Sequence, residues 1–181
     1  MWDFGCVGDK ENPDIVIASA GDTVTLEALA ATRILRKYIP NINIRYVNVV
    51  DLYKLVSHDR HPHGLTDKEY NDLFTVDKPI IFNFHGYPHL IHQLTYNREN
   101  ENLHVRGYNE EGTITTAFDM RVQNKVDRYN LVLLAIKHLN IDEKLKQQIT
   151  TDLNEILTRH KTHIAEHGVE IPEVQDWVWE E

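Results

Sequence analysis

Eleven histidines in 181 residues carry most of the acid–base and ligand potential of this sequence. Four of the groups in view lie together in PIIFNFHGYPHLIHQLT, residues 79–95. His85 follows a short apolar run. Tyr87 stands two residues on. His89 and His92 are three apart and share a helical face. Arg106 and the pair Glu110-Glu111 come after a neighbouring extended segment and could pair with this cluster electrostatically. His85, Tyr87, His89, His92 and Arg106 are therefore the candidate cluster. The competing reading is that these polar-tipped rings fill a wet interface.

The other histidine sets carry less. His58, His61 and His63 sit in a loop around Pro62, with no acidic or cysteine partner at a fixed spacing that would complete a metal site. His160, His163 and His167 fall on one helical face. His163 and His167, four apart, could share a metal, but a solvated polar face is the plainer expectation. No nucleophile motif is present: Ser19 and Ser57 are the only serines, and neither sits in a GxSxG turn. Gly21-Asp22-Thr23 lacks the further glycines of a dinucleotide loop, and no GK[ST] occurs, so it reads as a tight turn with a helix cap. The residues alone offer one strand-end cluster and no complete catalytic set.

These groups must be held by regular elements. PIIFNF is a buried strand, HGYP a sharp turn, and Leu90, Ile91 and Leu94 recur at helical spacing. In an open α/β sheet, ligands and partners meet the chain where a strand ends. Upstream, residues 14–20 form an apolar strand. Asp22 or Thr23 is expected to cap a helix over 24–37, with Glu27 complementing its dipole and Leu26, Leu29, Ala30 and Ile34 facing the core. A β-branched strand over 42–50 completes a β-α-β unit, whose crossover is expected to be right-handed. Thr66 and Glu69 form a capping box for a helix over 67–74. A strand over 103–108, a short helix over 118–122, a helix capped by Asp127 over 128–139 and a long helix ending at Gly168 follow. Trp177 and Trp179 in the tail are expected to pack on this domain or on a partner.

Bulk properties narrow the field. Acidic residues outnumber basic ones, 28 to 19, for a formal charge of -9. Nucleic acid and anionic membranes select a basic surface, so neither is an expected partner. No apolar run approaches the roughly 20 residues of a membrane span. The first residues lack the basic and apolar regions of a signal peptide. Cys6 is the sole cysteine, so no internal disulfide forms, which fits a cytoplasmic location. Residues 1–13 read as an interdomain linker, and 14–181 as one α/β domain with strands alternating with helices in three layers.

Several stretches taken together resemble one family. They are PDIVIASAGDTVTLEALAATRILR, NIRYVNVVDLYKL, HPHGLTDKEYNDLFTVDKPIIFNFHGYPHLIHQLTYNR and NLHVRGYNEEGTITTAFDMRVQNKVDRYNL. The chain is similar to the C-terminal domain of phosphoketolases over residues 13 to about 139, and more loosely beyond. The resemblance implies a transketolase C-terminal-domain-like fold, a three-layer α/β/α arrangement with a mostly parallel, five-stranded mixed sheet. It implies a longer enzyme whose other two domains bind thiamine diphosphate and magnesium and form the active site at a homodimer interface. This chain would then bind no cofactor or metal and hold no catalytic residue. The implied reaction uses inorganic phosphate to cleave xylulose 5-phosphate or fructose 6-phosphate, giving acetyl phosphate and an aldose phosphate. Within that frame the domain is expected to be architectural. The alternative is a regulatory module that binds a small anionic effector at the His85-Tyr87-His89 strand end.

Overall fold

The computed structural model describes residues 2–4, 12–110 and 114–179. A five-stranded sheet forms the middle layer, in the order β1-β3-β2-β4-β5. The strands are β1 (Trp2–Phe4), β2 (Ile15–Ala20), β3 (Ile44–Asn48), β4 (Ile80–Phe84) and β5 (Leu103–Gly107). Four run parallel, while β1 pairs antiparallel with β3 through Trp2–Tyr46 and Phe4–Ile44. The stretch expected to be a linker thus contributes an edge strand. Three residues are too few to show a period of two, so only pairing reveals it. Cys6 and Glu111 lie outside the described residues.

All positions of β2 and β4 are buried, as expected of parallel strands covered on both faces. Alternation along β2 sends Ile15 and Ile17 to one face and Val16, Ala18 and Ala20 to the other. The first face packs on α1 (Asp22–Tyr38), α5 (Arg128–His138) and α6 (Glu143–His167). The second packs on α2 (Asp67–Phe74), α3 (Pro88–Thr95) and the short 3-10 turn Leu52–Leu55. Two shorter helices, α4 (Ala117–Asn124) and α7 (Pro172–Gln175), complete the chain.

Three helix signals act as expected. Thr66 and Glu69 exchange capping bonds at α2, Asp127 accepts from the Tyr129 and Asn130 amides at α5, and Gly168 closes α6 in the left-handed conformation. Two expectations at α1 are corrected. Gly21, not Asp22 or Thr23, occupies the N-cap, and no side chain caps the helix. Val24, Ala28, Ala30, Ala31 and Leu35 are buried, and Leu29 and Ile34 pack partly buried against the same core, so of the four expected inward residues only Leu26 is exposed. Small alanines let α1 approach the sheet and α5 closely, so hydrophobic bulk misjudges Leu26.

Glu27, expected to complement the dipole of α1, does more than that. It is fully buried. Its carboxylate accepts from Arg121 (2.7 Å), from the Nε and Nη2 of Arg128 (2.8 and 3.0 Å) and from the Arg128 amide (3.0 Å). One acid therefore ties α1 to α4 and α5. Trp177 of the tail covers the Arg128 guanidinium at 4.8 Å, so that tryptophan packs on this domain.

Beside this network, burial pushes the Asp127 carboxyl up to about 6, against the amide bonds that lower it. Between the ordinary value of 3.8 and about 6 the folded state holds a proton that the unfolded state has released. This contribution to stability therefore falls as pH rises through that window, by about 3 kcal/mol in all. Asp127→Asn keeps an acceptor for the cap and should flatten this slope. Urea midpoints of both proteins at pH 4 and pH 6.5 measure it, and equal slopes would refute the assignment.

Candidate functional site

Strand order reverses between β2 and β4, because β2 leads outward to β3 and β4 leads outward to β5. The crevice at their carboxyl ends is where such sheets receive ligands or partners. His85 leaves β4 at this point, and its amide donates to the Ala20 carbonyl (2.9 Å). Its ring packs on Tyr108 with centroids 5.1 Å apart. Nδ1 lies 3.4 Å from Asp22 Oδ1 and Nε2 lies 3.2 Å from Glu110 Oε1. A neutral imidazole can donate to one of these carboxylates, an imidazolium to both. The ring thus straps the turn after β2 to the loop after β5. The Thr23 amide, followed by His85, holds the Asp22 carboxyl below its usual range.

Gly21 makes this approach possible. Its φ is +115°, and a Cβ there would overlap the Cβ of His85. Gly21→Ala should therefore push His85 out of the crevice and destabilise the chain by on the order of 2 kcal/mol. The His85 ring resonances and the urea midpoint report the two effects. An unchanged midpoint with unmoved resonances would contradict the packing.

The five candidate residues separate into groups. Tyr87 and His89 lie at the start of α3, with ring centroids 5.7 Å apart, and both are exposed, as is His92. Ile91 anchors this helix on the α2 side of the sheet. Arg106 pairs in register with Asn83, whose amide donates to Val24 and Val126 on the α1 side. Among the described residues Arg106 Nε is buried without a hydrogen-bond partner. Among the described residues no hydrogen bond, ion pair or ring contact joins His85 to Tyr87, His89, His92 or Arg106. Glu110, noted as a possible electrostatic partner, does reach His85.

The remaining histidines are engaged locally. His61 stacks on Tyr53 at 4.3 Å and accepts from the His63 amide, while His58 Nδ1 faces the Gly64 carbonyl. His104 and His138 stack at 3.6 Å across β5 and α5, and burial lowers the pKa of both. His163 and His167 lie 4.5 Å apart on α6. Among the described residues no group of three or more His, Cys, Asp or Glu side chains is placed to hold a metal ion.

His160 departs from expectation. It is 1% exposed rather than part of a solvated face. Its position continues the series of buried Ile149 and Leu153 and partly buried Ile156, and that register was the signal available in the sequence. Arg98, flanked by Asn97 and Glu99, is also buried. It donates to the carbonyls of Leu55, Val56 and Leu65 and to Asp67, and lies over the Tyr70 ring at 4.3 Å.

The rim of the crevice is apolar as well as polar. Val50 and Tyr53 follow β3, Tyr87 and Leu90 follow β4, and all four are exposed, Val50 by 90%. Exposed apolar side chains gathered on one rim mark an interaction surface more often than a reaction centre.

Known proteins decide what this assembly belongs to. A family profile described as the XFP C-terminal domain matches residues 1–179. The chain belongs to that family, the C-terminal domain of phosphoketolases. A probable phosphoketolase of Clostridium acetobutylicum is 54% identical over 179 residues, which is 99% of this chain and 22% of that protein. One from Bradyrhizobium diazoefficiens is 54% identical over 181 residues and one from Brucella abortus 46% over 180, each covered to 23% of its length. The chain thus spans less than a quarter of the phosphoketolases it matches. Its three-layer α/β architecture is the one the resemblance implied. Among the described residues no helix is long and apolar enough to cross a membrane.

The cofactor implied for the whole enzyme does not fit this crevice. Thiamine diphosphate would bring two phosphates toward His85, whose two nitrogens already face the carboxylates of Asp22 and Glu110. Those carboxylates would repel it.

Proposed function

We propose that this chain is the non-catalytic, architectural domain of a cytoplasmic phosphoketolase. The whole enzyme, on this reading, uses thiamine diphosphate and magnesium to cleave xylulose 5-phosphate or fructose 6-phosphate with inorganic phosphate. The products are acetyl phosphate and an aldose phosphate. The two other domains and a homodimer contact supply the active site. The carboxyl-end rim faces the rest of the enzyme.

The observation that carries this reading is the near-complete match of the chain to under a quarter of each relative. The exposed rim supports it, because apolar side chains at that end gain by being covered. The arrangement around His85 gives less support to a small anionic effector. Carboxylates flank both ring nitrogens, and Arg106 is not joined to the ring.

A chimera tests the proposal. This chain would replace the matching C-terminal segment of the Clostridium acetobutylicum relative. The chimera should form acetyl phosphate from xylulose 5-phosphate, and Val50→Asp should weaken its assembly. A folded chimera that neither assembles nor turns over substrate would count against it.

A further inference from the structure

His163 and His167 stand on consecutive turns of α6, four residues apart on one side of the helix. Their ring centroids are 4.5 Å apart and the ring planes are tilted by 55°. The Cβ atoms of such a pair are roughly 5–6 Å apart, so the rings lean toward each other. The nitrogens of an imidazole lie close to its centroid. With ring rotation alone these two can present nitrogens roughly 3.3 Å from one another, the separation set by a tetrahedral ion with metal–nitrogen bonds of about 2.0–2.1 Å.

Solvent reaches both rings. The His167 side chain is 56% exposed, and His163 is half-buried. Among the described residues neither ring makes a hydrogen bond. Glu166 Oε2 stands 3.8 Å from His167 Nε2, too far for a hydrogen bond but near enough to place negative charge beside the pair. His167 also lies in the last turn of α6, where the Gly168 amide donates to the Ile164 carbonyl (2.8 Å) and closes the helix. The helix dipole makes this end negative, so a cation gains there. Lys161 is two residues from His163, which sets it on another side of the helix. His160 is no third ligand, because it is 1% exposed and both its ring nitrogens are buried. Among the described residues no third His, Cys, Asp or Glu is in place, so water completes the coordination shell.

We propose that His163 and His167 together hold one divalent transition-metal ion of the zinc and nickel class at the carboxyl end of α6. Imidazole suits these ions, whereas magnesium takes oxygen ligands and is not expected here. The net charge of -9 favours any cation and so does not discriminate among them; the two nitrogens do. The bound ion fastens the last turn of α6. From that turn the chain runs on to Glu170, which accepts from the Phe118 amide (2.7 Å), and to Trp177 on Arg128.

The test follows the histidine ring resonances of the 181-residue chain, free of any added histidine tag, during titration with zinc chloride. The His163 and His167 signals should shift together, saturably and with one midpoint, and nickel chloride should broaden the same two. The Gly168 amide should exchange more slowly once zinc is bound. His163→Ala and His167→Ala should each weaken binding at the remaining ring by more than the roughly tenfold that loss of an outer-shell partner costs. Glu166→Gln keeps both ligands and should retain the joint shift. Four results would each overturn the proposal. One is that neither signal moves at millimolar zinc or nickel. Another is an equal shift with magnesium chloride, which marks diffuse screening by a cation. The third is unchanged affinity at one ring after loss of the other. The fourth is zinc binding that leaves Gly168 exchange unaltered.

Discussion

Glu27→Ala should remove about 3–5 kcal/mol of stability, the largest single loss expected in this chain. The carboxylate is fully buried and is the shared partner of Arg121 and Arg128. Without it the Arg128 guanidinium, 3% exposed and under Trp177, is left as an uncompensated buried charge. The Arg128 amide at the start of α5 also loses its acceptor. A second comparison separates charge from shape. Glu27→Gln keeps the volume and one acceptor but not the charge, and should fall between alanine and the native protein. Urea unfolding gives both values. If alanine costs under 1 kcal/mol, water has replaced the acid and the network does not hold α1, α4 and α5 together.

Arg98→Ala should cost on the order of 3 kcal/mol, and its effect should be local. The side chain satisfies three carbonyls on the far side of the 52–66 segment and stacks on Tyr70. Its bond to Asp67 adds little, because that carboxylate is 73% exposed. Once the guanidinium is gone, Leu55, Val56 and Leu65 lose their donor together, and the loop that bears Tyr53 and His61 is released. Arg98→Lys should not rescue it, since one ammonium cannot span that fork of acceptors. Amide exchange is the measurement. Protection of the His58 and Leu65 amides, which bond Leu65 and Lys54, should collapse while β2 stays protected. Uniform loss across the sheet would instead mean that Arg98 supports the global fold.

These two residues show what a sequence hides. Thr66 with Glu69, Asp127 and Gly168 are legible because a cap acts within three or four positions of its own helix. His85 is legible too, since a strand followed by His-Gly-Tyr-Pro must turn at that point, and it does lie at the switch point. Glu27 finds its cations 94 and 101 residues away, and Arg98 its carbonyls 33 to 43 residues back. No periodicity encodes such partners. An acid near the start of a helix and an arginine among polar neighbours look the same whether solvated or buried. His160 was hidden for a different reason. Residue type suggested a solvated face, while its register with Leu153 placed it inward, and packing followed the register. The spread of the candidate cluster has the same origin: closeness along residues 79–106 says nothing about which face of the sheet each side chain takes.

The central claim is that the thiamine diphosphate chemistry of a phosphoketolase lies outside this chain. Calorimetric titration of the purified chain with thiamine diphosphate and magnesium tests it most directly. No saturable heat is expected, and no acetyl phosphate should form when xylulose 5-phosphate and phosphate are then added. A saturable isotherm with near-unit stoichiometry would contradict the account.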